Sequence, residues 1–133
     1  MRQTDAKLIW ITGIAATAIA AILNALLVII GVNLLGLNRD RALPPLDGPS
    51  AVVMFTVVFL LLATLVFWVI ARRSPAPVGT FRTVTVIGLL VSFLPDLWLL
   101  TQPGAGPGEV ILLMLTHVVA AAVIYGAFAR RFA

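Results

Sequence analysis

Ala51 to Ala71 read AVVMFTVVFLLLATLVFWVIA, an apolar run with no charged residue, proline or glycine. About 20 such residues are enough for a helix to cross the roughly 30 Å hydrocarbon core of a bilayer. The run is therefore read as a transmembrane span, and three comparable segments appear on either side of it. The first spans about Leu8 to Leu37, LIWITGIAATAIAAILNALLVIIGVNLLGL; the others cover about Thr83–Thr101 and about Glu109–Ala129. The linkers carry the breakers expected between helices: three prolines in NRDRALPPLDGPS, two in RRSPAPVGTFR, and a Gly/Pro-rich QPGAGPG.

Composition agrees. Of 133 residues 62% are hydrophobic and 11% charged, whereas soluble domains carry about 25% charged residues. One transmembrane domain, residues 1–133, accounts for the length. A plausible n-region, MRQTDAK, precedes the first run, but that run outlasts the apolar core of a signal peptide and is read as a span. No cysteine is present, which excludes disulfides, thiolate catalysis and cysteine-ligated metals or clusters. His117 alone cannot build a multi-histidine metal site or a bis-histidyl haem site within one chain. No cofactor and no metal are expected, and the basic pairs at segment ends do not make a nucleic-acid face.

Orientation is read from lysine and arginine. Arg2, Lys7, Arg72, Arg73, Arg82, Arg130 and Arg131 lie toward the termini and the middle linker; only Arg39 and Arg41 lie in the first linker, and the third has none. The positive-inside rule then places both termini in the cytoplasm. The expected fold is an all-α, antiparallel four-helix membrane bundle, N-in and C-in. Gly13, Thr17, Ala21 and Ala25 in the first span, Gly88 and Ser92 in the third, and Ala120–Ala122 with Gly126 in the fourth are small enough for close helix contact. Spans one, three and four are accordingly expected to form the core. Span two, with Met54, Phe55, Phe59, Phe67 and Trp68, is expected to face lipid. Trp10, Trp68 and Trp98 fall near span ends, as interfacial aromatics do.

One feature does not suit a lipid-facing helix. Residues 91–100, VSFLPDLWLL, place Pro95 and Asp96 inside the third span. A charge at mid-membrane costs about 3 kcal/mol on insertion scales and is usually sheltered within a bundle. Asp96 lies roughly 9 Å from the end of its span and His117 roughly 12 Å from the same side, depths that allow contact. Ser92 is one turn from Asp96, Asn24 or Asn33 of span one is a further polar neighbour, and Pro95 removes a helical hydrogen bond and is expected to bend the helix beside a polar notch. Burial and mutual attraction act in opposite senses on an Asp–His pair, so such a pair can respond to protons near neutral pH. The plainer reading is a structural contact locking spans three and four. Ser92, Asp96 and His117 supply the residue types of a hydrolase triad, but Ser92 and Asp96 share one helix and nothing marks an oxyanion hole. Glu109 is read as a favourable charge at a helix N-terminus.

LPDLW (94–98), followed by HVVAAAVI (117–124), resembles a family of small four-span bacterial membrane proteins of unknown function. The resemblance implies a bacterial cytoplasmic-membrane location, and no catalytic role is carried over from it. Small multidrug transporters have a similar length and span count, but they depend on a glutamate in the first span, where this chain has Asn24. The expected role is that of a non-enzymatic small membrane subunit or interaction protein, its partners being the bilayer and either further copies or a larger membrane protein. The alternative is a small proton-linked transporter or ligand-binding bundle built on Asp96 and His117.

Overall fold

The computed structural model describes residues 3–41 and 43–133, with side chains from residue 5 onward. Four helices run in succession, α1 (Gln3–Ile29), α2 (Pro49–Arg73), α3 (Pro77–Leu99) and α4 (Pro107–Phe132). All four are long and apolar enough to cross a membrane. Three of them begin on a proline, whose fixed φ and missing N–H suit the first helical position. This explains why α3 starts at Pro77, ahead of the hydropathy boundary at residue 83: Pro77 sets the helix, and only later does the helix become apolar. Because linkers join neighbouring ends, the α1–α2 and α3–α4 loops share one end of the bundle, here the loop end. The chain termini and Ser74–Ala76 share the other, the terminal end.

The first helix is the hub. Ile9, Gly13, Ala16, Thr17, Ala20, Asn24, Val28 and Gly31 are buried at three- and four-residue intervals, the period of one helical face. At Gly13 a Cβ would fall on the Thr64 side chain of α2, so the missing side chain is what lets the two helices approach. Past Ile29 the helix widens into a π-turn, Ile30–Leu34. The turn presents Gly31 to α4, where an added Cβ would lie 2.5 Å from Leu112 Cδ2.

The packing differs from the expected arrangement. α1 packs against α2 and α4, while α3 rests chiefly on α4. The core is therefore α1, α2 and α4, and α3 is the peripheral helix. The physical reason lies in α2's inner stripe of Val52, Thr56, Leu60, Thr64 and Phe67. Thr56 donates its hydroxyl hydrogen to the Val52 carbonyl and Thr64 to that of Leu60, so each threonine packs as a compact residue with its polar atom already satisfied. Phe67 is likewise inside: its ring stacks on Phe128 at 4.1 Å and meets Phe81 edge-on at 5.1 Å, joining α2, α3 and α4 at the terminal end. Met54, Phe55 and Phe59 are exposed, as expected for a lipid-facing surface. Trp98 is also exposed, and Arg72 lies 3.8 Å over the Trp68 ring.

At the loop end the first linker is more than a solvated connection. Leu43 and Leu46 fold back to pack with Val28, Val52, Leu112 and Leu113. Asn38, in the left-handed region at φ 54°, holds this fold: its Nδ2 donates to the Leu43 carbonyl at 3.0 Å, and its Oδ1 accepts from the Leu43 amide at 2.9 Å. Glu109 of α4 completes the tie. Its carboxylate accepts from the Asn38 amide at 3.0 Å and from the Gly106 amide at 3.1 Å, so one side chain both caps α4 and fastens the loop to it. Arg39, Asp40, Arg41 and Asp47 are exposed, with a surface ion pair between Arg41 and Asp47 at 3.6 Å.

Candidate functional site: a polar layer across four helices

Each helix contributes polar groups to one transverse layer. From α1, Asn24 is 1% exposed; its Nδ2 donates to Thr56 Oγ1 of α2 at 3.0 Å and to the Thr116 carbonyl of α4 at 3.1 Å. The reverse amide orientation would set two oxygens against each other at Thr116, so donation from nitrogen is the chemically consistent arrangement. The next residue on α4, His117, turns its ring to α3. There Asp96 Oδ2 lies 2.8 Å from His117 Nδ1. The Thr116–His117 stretch is thus gripped from both sides, by Asn24 through the backbone and by Asp96 through the ring.

Asp96 and His117 do meet, as their depths allowed. The contact has a particular character: its separation is a hydrogen-bond distance, yet neither Asp96 Oδ2 nor His117 Nδ1 has a hydrogen-bond partner. The oxygen must therefore lie off the direction in which an N–H at Nδ1 would point. This is a close electrostatic approach without an aligned hydrogen bond. The Asp96 side chain is 8% exposed and that of His117 37%, so the carboxylate is enclosed while the imidazole reaches the outer surface of the bundle.

The remaining sequence candidates separate from this pair. Ser92 donates to the Leu89 carbonyl of its own helix at 2.6 Å and does not bond Asp96. Asn24 belongs to the layer but sits across α4 from Asp96, and Asn33 is exposed. Pro95 lies on the exposed side of α3, and the helix continues through it to Leu99. Proline has no N–H for the Val91 carbonyl, and Val91 is exposed too. The carbonyl freed by Pro95 thus belongs to a residue whose side chain is exposed, while Asp96, the residue after the proline, is buried. Among the described residues no three metal-ligating side chains come together.

Sequence reasoning missed Thr56, Thr116 and Asn38. Thr56 had a weak signal, a hydroxyl within an otherwise apolar stretch, and Thr116 stands directly before His117, but nothing in one dimension pairs either with Asn24. Asn38 sits in a linker whose charges drew attention away from it. Buried Asn24 Oδ1 has no hydrogen-bond partner, which makes the layer polar beyond what its own bonds satisfy.

A family model, described as a family of unknown function (DUF6069), matches residues 4–133. The curated proteins and the solved structures contain no match to the chain.

Proposed function

The chain belongs to the family of unknown function DUF6069, and from its geometry we propose that it is a non-enzymatic small subunit or interaction protein of a bacterial cytoplasmic membrane, inserted N-in and C-in. The observation that carries this reading is the position of α3. It is the least apolar of the four spans and also the least buried; only Phe81 and Asp96 along its length are buried. A helix left to lipid should be the most apolar one, since lipid offers its polar groups no partner. An under-apolar, under-buried span is the pattern of a helix covered by another protein. Gly88 faces open space, so a second helix can approach the backbone there.

The absence of native cysteine makes the test direct. Gly88→Cys in native membranes is expected to cross-link, to a second copy or to a partner, whereas Phe59→Cys on the exposed face of α2 is not. Equal and low cross-linking at both positions would remove the reason for assigning α3 a partner.

A second reading rests on the Asp96–His117 approach, in which an enclosed carboxylate meets an imidazole that reaches the bundle surface. It makes the pair a proton-responsive element of a transporter or ligand-binding bundle. Proton flux in vesicles that is lost in Asp96→Asn supports it; flux unchanged by that substitution sinks it.

A further inference from the structure

We propose that the groove between α1 and α4 at the terminal end holds an acyl chain of an anionic phospholipid, with Arg130 and Arg131 receiving its phosphate. The groove has a volume of about 640 Å³ and is walled by Ala15 and Ile19 of α1 and by Ala122 and Gly126 of α4. Small side chains create it: a Cβ added at Gly126 would meet nothing within 4 Å. Along α1 it extends from Leu8 to Ile19, roughly 16 Å of helix, which is about the depth of one leaflet of a 30 Å core.

Charge says what occupies it. Arg130 and Arg131 line the groove at the last turn of α4 and are exposed. Among the described residues no carboxylate lies within ion-pair distance of either. Among the described residues six basic side chains, Lys7, Arg72, Arg73, Arg82, Arg130 and Arg131, belong to this end of the chain's topology, against one acidic side chain, Asp5. An apolar slot of leaflet depth that opens beneath two guanidiniums is complementary to a lipid with an apolar tail and an anionic head, and guanidinium pairs well with phosphate geometry. A zwitterionic lipid fits the slot equally but gains less from the arginines.

This inference rests on the bundle being bilayer-embedded, a premise checked separately by carbonate-resistant association of the full chain with membranes. The test compares retention of phosphatidylglycerol and of chain-matched phosphatidylcholine by the detergent-purified full chain, using native mass spectrometry and lipid titration. Phosphatidylglycerol is expected to bind the more tightly, with each of Arg130→Gln and Arg131→Gln weakening it about five-fold. Gly126→Leu should fill the groove and abolish retention without lowering the melting temperature in lipid-free detergent. Equal binding of the two lipids, or phosphatidylglycerol affinity indifferent to the arginines, overturns the proposal. So does loss of a dimer in Gly126→Leu, which would make the groove an interface between copies. If Gly126→Leu does not fold, the arginine variants still decide.

Discussion

Asp96→Asn, His117→Gln and the double variant form a thermodynamic cycle that tests whether the α3–α4 contact holds the peripheral helix in place. The magnitude follows from the geometry. Asp96 Oδ2 and His117 Nδ1 are 2.8 Å apart and neither has a hydrogen-bond partner, so each single substitution strips the other residue of this close polar contact. An effective dielectric near 20 would give two unit charges 4 Å apart about 4 kcal/mol. Two features reduce that: the contact is off-line, and the His117 side chain is 37% exposed. Interhelical polar pairs in membrane proteins average about 0.6 kcal/mol, with a maximum near 1.7. The expected coupling is therefore about 1 kcal/mol, read from unfolding in mixed micelles. Losses that add to within about 0.5 kcal/mol would refute the claim that this contact joins α3 to α4.

Two further perturbations separate tight packing from open surface. Gly13→Ala drives a Cβ into the Thr64 side chain, which is short and β-branched with its hydroxyl tied to Leu60, so α1 and α2 must separate; a loss of about 1–3 kcal/mol is expected. Gly88→Ala, where the new Cβ meets nothing, should gain about 0.5–1 kcal/mol from helix propensity in the detergent-solubilised protein, and equal effects at the two glycines would contradict the packing. Phe67→Ala removes the ring that stacks on Phe128 and should cost about 3–5 kcal/mol. Phe59→Ala, at an exposed ring, should cost far less in thermal unfolding, and a comparable loss would show that α2 is turned the other way.

The sequence by itself determined the number of helices and the depth match that lets Asp96 meet His117. Those properties are local: they follow from apolar length, from prolines at helix starts and from a rise per residue that any helix shares. Which helices form the core was decided only in three dimensions. Gly13 and Gly126 look alike in one dimension, yet one presses on Thr64 and the other opens onto a groove. A small residue permits close approach but does not say whether a neighbour takes the place offered. The same holds for Phe67 and Phe59, two rings on one helix: Phe67 is sealed within an aromatic cluster and Phe59 is exposed, because rotation about the α2 axis is set by Gly13 and by the threonines facing α1. The layer through Thr56, Asn24, Thr116, His117 and Asp96 joins residues from four helices far apart in the chain. The need for sheltered partners could be read from each polar residue alone; which partner met which depended on the register of packed helices, and packing is a property of the whole bundle.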